Sequence, residues 1–468
     1  MAVIEGRCND RPRAVSILLT RALIGAVSTL AVLLLARPVA ADTHTVTNTL
    51  DSGPGSLRQA VLDAVPGDVV WFDSTVFSVP LTITLTSGQI EISRSLTIDG
   101  AYGGVVTPTI SGADTTRIFQ VDAGVSVTIN HMSLVNGYCG SSDQCHGGAV
   151  YNDGVLNITG SLLFGNRAAD GGAIFNRGTI SITQSNMMSN TALQGSAINN
   201  YGTLDVPHST FFHNGTGSLP GWGGGIMSYG ILNIDSTIFT QNSTPNGGGV
   251  YVGGGYANIS NSSFISNFAV YGGGIRNKYG VVSVINSAFT SNISSLGGGL
   301  ANYYQTQVIN CTFANNFSGS GAIFNETILY VTNSTVVSNT SNPGEGGGIS
   351  NWALAVLTNT IVANNVPGGD CFTDKAASTI DGGHNLESSN TCGFSATGSI
   401  TNTNPLLGPL DYYGGPVMTL PLLPGSPAID AGDAAACPPT DARGGRCRSA
   451  RTVILAHTRQ TGRFITCR

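Results

Sequence analysis

Residues 272–296 read GGGIRNKYGVVSVINSAFTSNISSL, and the same plan recurs along the chain. A glycine pair, a small residue, an aliphatic residue, a variable residue and usually an Asn open each copy. Nine copies begin at Gly147, Gly171, Gly195, Gly223, Gly247, Gly272, Gly297, Ser320 and Gly346, spaced 24, 24, 28, 24, 25, 25, 23 and 26 residues apart. A period of that size marks a solenoid whose repeats bury their faces on one another. In the copy from Gly272, three short strands are expected: Gly274–Arg276, Val282–Val284 and Ser287–Phe289. Val282 and Val284 alternate with Ser283, so the valines point into the coil and the serine points out. Three strands and three turns per coil give an all-β, right-handed parallel β-helix. A left-handed hexapeptide helix needs a period of about 18, and a propeller needs about 40 residues per blade. Neither fits.

The copies close on Asn166, Asn190, Asn214, Asn242, Asn267, Asn292, Asn316, Asn339 and Asn364. Side chains in such a column can hydrogen-bond from coil to coil as an amide ladder. The paired glycines suit a turn that needs positive φ or a close backbone approach.

Composition agrees with a solenoid: the 468 residues include 63 Gly and only 10% charged side chains. The formal net charge of −6 conceals an asymmetry. Of 20 basic residues, five lie in residues 1–41 and seven in 437–468, which leaves eight between them. All but three of the 26 acidic residues (Glu5, Asp10 and Asp441) fall in that same stretch, so its net charge is −15. Such a body repels nucleic acid, whose binding depends on Lys and Arg. Residues 1–41 read as a secretory signal peptide: Arg11, Arg13 and Arg21 precede the apolar run Ala22–Ala36, and small residues at Val39-Ala40-Ala41 offer a cleavage site. No other stretch approaches the ~20 apolar residues of a spanning helix, so none is expected in the mature chain. Of nine cysteines, Cys139 with Cys145 and Cys371 with Cys392 flank short loops and are disulfide candidates in an oxidising compartment. Cys311, inside a repeat, reads as a small buried apolar residue.

The Gly147-Gly148-Ala149-Val150 and Gly171-Gly172-Ala173-Ile174 elements occur with a Phe-x-x-Asn element at Phe211–Asn214, Phe239–Asn242, Phe264–Asn267, Phe289–Asn292 and Phe313–Asn316. The combination, over residues 147–365, resembles the polymorphic outer-membrane-protein repeats of chlamydial surface proteins. The resemblance implies a β-helix exposed at a cell surface, in association with a bacterial outer membrane. Upstream, residues 45–60 (TVTNTLDSGPGSLRQA) resemble the N-terminal segment of secreted CSLREA-type proteins. There Ser56 can cap a short helix through Ala64, with Leu57, Ala60 and Val61 on one face, covering the open end of the coil. Residues 42–68 thus form an N-terminal cap and residues 69–146 irregular first coils. Residues 366–436 resemble the C-terminal region of choice-of-anchor Q proteins through Gly383-His384-Asn385-Leu386, Asn404–Leu410 and Leu423–Gly432. Residues 437–468 break composition as an Arg-rich tail and read as a frame-shifted or truncated end.

Chemistry is sparse. A glycoside hydrolase needs two facing carboxylates. A calcium-dependent lyase needs an acidic cluster and an Arg or Lys to take a proton. Asp153, Asp170, Asp205 and Asp235 occupy different places in their coils, while Arg276 and Lys278 lie two apart in one copy, with Tyr251 and Ala301, and no acid, level with Arg276. Solvated charge accounts for each. His131, His146, His208, His213 and His384 lack metal-ligand spacing, so neither a metal nor a cofactor is expected. The better candidates are Tyr201, Tyr229, Tyr279, Tyr303, Tyr304 and Trp352, which follow the first strand at nearly equivalent turns. Exposed rings in a row can stack on sugars, or can simply stiffen the turn. A second candidate is the variable turn, longest at Gly215–Trp222. These features favour an exported structural or adhesive surface protein, with extracellular polysaccharide or another cell surface as partner. The alternative is a polysaccharide lyase or glycoside hydrolase on the same scaffold.

Overall fold

The computed structural model describes residues 41–101, 107–140, 145–216 and 221–445. All but the last residue of the expected signal peptide lie outside them, as do residues 446–468 of the Arg-rich tail. The chain forms a parallel β-helix with three strands per coil, in sheets of 14, 12 and 13 strands. In the coil from Gly272 the strands are Ile275–Asn277 in the 12-stranded sheet, Val281–Ile285 in the 14-stranded sheet and Ala288–Thr290 in the 13-stranded sheet. Each pairs in parallel, in register, with its counterpart one coil away, so a residue type that repeats in sequence becomes a column in space.

The inward columns are apolar and dry. Val250, Ile275, Leu300 and Ile323 stack beneath the 12-stranded sheet, and Val282 and Val284 are buried beneath the 14-stranded one. Phe211, Phe239, Phe264, Phe289 and Phe313 stack with ring centroids 4.5–4.9 Å apart, the last four within 4° of parallel. The first glycine of each pair has φ near +65°, and a Cβ there would strike the carbonyl of the residue three positions on. The turn therefore demands glycine.

The amide ladder is continuous. Each Nδ2 from Asn166 to Asn339 donates at 2.9–3.0 Å to the Oδ1 of the next Asn, ending on Asn365. The last rung is Asn365, not Asn364 as the spacing had it. Asn364 occupies the left-handed corner that precedes the ladder position, φ +55°, where earlier coils place Ser338, Asn315 or Ser291. A second ladder joins Asn152, Asn176 and Asn200, and resumes from Asn277 through Asn302 and Asn325 to Asn351.

The helix Leu57–Asp63 is capped by Ser56, whose hydroxyl accepts from Gln59 N, and it buries Leu57, Ala60 and Val61. It packs on the strands Thr43–Val46 and Ile90–Ile92 at the end of the rod. At the other end the chain doubles back. Residues 407–422 form antiparallel bridges and lay Leu420 on Ala314 and Val337 of the 13-stranded sheet. Residues 433–440 then run down a column of corner asparagines: Asn359 Nδ2 donates to Asp433 O (2.9 Å), Asn333 to Ala436 O (2.9 Å) and Asn310 to Thr440 O (2.8 Å). Cys371 and Cys392 are bonded, as are Cys139 and Cys145.

Candidate functional site

The outer face of the 12-stranded sheet is built from three side-chain columns. The middle column is the central residue of each first strand, in register as Gln120, Tyr151, Phe175, Asn199, Met227, Tyr251, Arg276, Ala301, Phe324, Ser350 and Phe372. One flank precedes the glycine turn and runs His146, Asp170, Gln194, Trp222, Asn246, Tyr271 and Leu296. The other follows the second ladder and holds Tyr201, Tyr229, Tyr303 and Trp352. It also holds Arg177, Gly253, Lys278 and Glu326 at equivalent places, so the expected row of rings is interrupted. Tyr279 and Tyr304 sit one residue further along the turn.

The rings nonetheless form a path of two stacked runs, with Arg276 and the rings of Tyr251 and Tyr271 between them. His146 stacks on Phe175 at 4.5 Å, Tyr151 on Phe175 at 5.5 Å, and Phe175 meets Tyr201 at 5.6 Å. Tyr201 stacks on Tyr229 at 5.3 Å, and 47% of Tyr201 is open to solvent. Beyond, Tyr303, Phe324, Trp352 and Phe372 follow at 5.8, 6.5 and 5.4 Å. Ten strands from Tyr151 to Phe372 at ~4.8 Å per coil give a face about 43 Å long. Spacing alone could not have found Tyr151, Phe175, Tyr251 and Tyr271, since these positions are aromatic in only some coils. A recess of about 310 Å³ opens between His146, Tyr151, Phe175, Arg177 and Tyr201.

Cations sit on these rings. Of the eight basic residues between 42 and 436, five contact tyrosines, four of them on this face and Arg167 in the turn that precedes it. Arg117 lies 5.3 Å from the Tyr151 ring and Arg167 4.7 Å from Tyr138, while Arg177 donates to the Tyr151 hydroxyl at 3.1 Å. Arg276 lies 4.5 Å from Tyr271, 4.9 Å from Tyr303 and 5.8 Å from Tyr251. Lys278 Nζ lies 4.7 Å from Tyr303 and 5.2 Å from Tyr279. Burial pushes the Tyr251 and Tyr303 hydroxyls up to about 12, so both remain neutral donors at ordinary pH.

The acids are otherwise engaged. Asp170 lies 3.1 Å from His146 Nδ1, and Asp153 lies 3.8 Å from Arg177. Asp205 accepts from Asn233. Asp235 accepts from Ser260, Asn261 and Ser236, bonds that hold its carboxyl below the usual range against the opposing effect of burial. Among the described residues no three His, Cys, Asp or Glu side chains converge on a possible metal position. Nor is any described helix long and apolar enough to cross a membrane.

No family model matches the chain, and no curated protein does. Among solved structures the chain is similar to an alginate lyase of the PL6 family, at 13% identity and TM-score 0.43, covering 81% of this chain. It spans about half of that enzyme's length, 55%. It is also similar to a mannuronic-acid-specific polysaccharide family 6 lyase from human gut microbiota, at 10% identity and TM-score 0.42, covering 78% of this chain and 92% of that one. A pectate lyase aligns at 15% identity and TM-score 0.36, covering 90% and 98%.

Proposed function

We propose that this chain is an exported surface β-helix that binds glycans, without cleaving them, along the outer face of its 12-stranded sheet. The carrying observation is the aromatic path itself, in which Tyr201 and Tyr229 stack at 5.3 Å and expose their rings beside a 310 Å³ recess. Sugars present apolar ring faces and polar edges. Solvent-facing tyrosines among Asn, Gln and Arg side chains match both. A fixed column on a rigid coil also loses little entropy on binding. Export rests on the expected signal peptide and on an acidic, Gly-rich body with two disulfides.

The test is retention of the purified protein on a panel of neutral and acidic polysaccharides by affinity electrophoresis. New reducing ends and unsaturated-uronate absorbance are followed in parallel, with and without Ca²⁺. Retention without cleavage is expected, with Tyr201→Ala and Tyr229→Ala each weakening it by about 2–10-fold, the worth of one ring contact. Cleavage of any polymer would replace this reading with a lyase or hydrolase on the same scaffold. Unchanged retention in both variants would move the site off this face.

A further inference from the structure

We infer that the Arg276–Lys278 step of the aromatic path is an anion subsite that selects acidic glycans, those bearing carboxylate or sulfate. The inference rests on the glycan-binding reading above and names the substrate class of the same face.

The argument begins with what each cation does for the fold. Arg117 is spent on the fold: its guanidinium donates to the backbone oxygens of His146 and Gly147 and to the Gln89 side-chain Oε1, bracing adjacent coils. Arg167 and Arg177 each have a carboxylate at 3.8 Å. Arg276 differs. Of the five N–H groups a guanidinium offers, only Nη1 is bonded among the described residues, to Asn246 Oδ1, and its Nε is buried without a partner among them. Lys278 Nζ makes no hydrogen bond among the described residues, and no carboxylate lies within 4 Å of either cation. The nearest acid of the same turn column, Glu326, is two coils beyond Lys278, roughly 9–10 Å along the rod.

Arg276 on the strand and Lys278 in the turn that follows it, neither paired with a carboxylate, are thus held against tyrosine rings in a body of net charge −15. The rings of Tyr271, Tyr303 and Tyr279 fix the two charges in place, which lowers the ordering cost of pairing them with an anion. A pyranose carboxylate or sulfate can take the Arg276 Nη2 and Lys278 Nζ hydrogens while its ring lies on Tyr303 or Tyr279. A neutral sugar offers those donors only uncharged hydroxyl oxygens, whose bonds to a cation are weaker, and the difference in binding is the selectivity.

The experiment compares polymers that differ in charge: polygalacturonate against its methyl ester, polymannuronate against mannan, and dextran sulfate against dextran. Affinity of the purified protein is measured by electrophoretic retardation at low and physiological salt. In at least one pair the acidic member is expected to bind about tenfold tighter or better, an advantage that shrinks with salt. Lys278→Gln and Arg276→Gln, with unchanged thermal transitions, are expected to pull that ratio towards one while leaving neutral-polymer binding in place. Lys278→Gln acts in the turn, outside the strand and its hydrogen-bonded ladder, so it remains informative if Arg276→Gln perturbs the coil. Equal binding of charged and neutral members, or a ratio unmoved by both substitutions, overturns the subsite and leaves the glycan reading standing. Retention of no polymer overturns both.

Discussion

Exchanging one rung of the ladder, Asn267, for Ala or for Asp separates two contributions of the buried amide. Its Oδ1 accepts from Asn242 N and Asn242 Nδ2, both at 3.0 Å. Its Nδ2 donates to Phe239 O at 2.9 Å and to Asn292 Oδ1 at 3.0 Å. Asn267→Ala deletes four bonds in a dry interior. At about 0.5–1.5 kcal/mol each this is a loss of roughly 2–6 kcal/mol, independent of pH. Asn267→Asp keeps the two accepting bonds but turns a carboxylate on two acceptor oxygens. Its folded pKa must rise above the ordinary ~3.9, so the folded variant binds its proton more tightly than the unfolded chain. Its deficit is therefore smallest below about pH 4, where a neutral carboxyl can still donate one bond. It grows by about 1.4 kcal/mol per pH unit until the folded pKa is passed. Urea midpoints by circular dichroism between pH 3.5 and 8 measure this, with limited proteolysis to locate partial opening in a repeat rod. A flat profile for Asn267→Asp, or a loss below about 1 kcal/mol for Asn267→Ala, would mean that the amides merely fill space.

Other outcomes follow from the interior. Phe264→Ala removes a ring stacked at 4.9 and 4.7 Å on its two neighbours and should cost about 3–5 kcal/mol in urea titration, with Phe264→Leu costing less. Burial and nearby Asp370 raise the Glu387 pKa despite bonds from Thr391 N and Cys392 N to Oε2. The native protein therefore loses stability from this group as pH climbs above its unfolded value of about 4.3. Glu387→Gln should gain on wild type over that interval in thermal melts, and a constant difference from pH 4 to 8 would refute the assignment. Burial pushes the Cys311 thiol up to about 12, so its peptide should stay unalkylated in the native protein and label only on denaturation, as mass spectrometry would show.

Much of this structure is legible before folding because a solenoid writes its geometry into one period. Val282 and Val284 take inward positions that follow from alternation alone, and the asparagine column follows from its spacing. The last rung was misplaced because Asn364 and Asn365 are adjacent and the chain does not say which takes the left-handed corner. The doubled-back segment is invisible for another reason. Leu420, Asp433 and Ala436 meet partners about 75 to 105 residues earlier through contacts that have no period. The aromatic face was half legible. Its flank rings recur after the first strand, but Tyr151, Phe175 and Tyr271 belong to columns that are aromatic in only some coils. Only the register brings them together.

The asparagine ladder also has a direction. Every amide from Asn166 to Asn365 turns its NH₂ towards the C-terminal end and its oxygen towards the N-terminal end, so their dipoles add along the axis as peptide dipoles do in an α-helix. At the N-terminal pole the oxygen of Asn166 takes a backbone hydrogen from Gly137 at 2.8 Å. At the C-terminal pole the NH₂ of Asn365 ends on the carboxylate of Asp370 at 3.0 Å. The rod is thus electrically polar through its dry centre, and the one carboxylate on this chain of amides stands at the positive pole. There the aligned dipoles repay part of its desolvation, whereas the same charge placed beside Asn166 would meet the negative one.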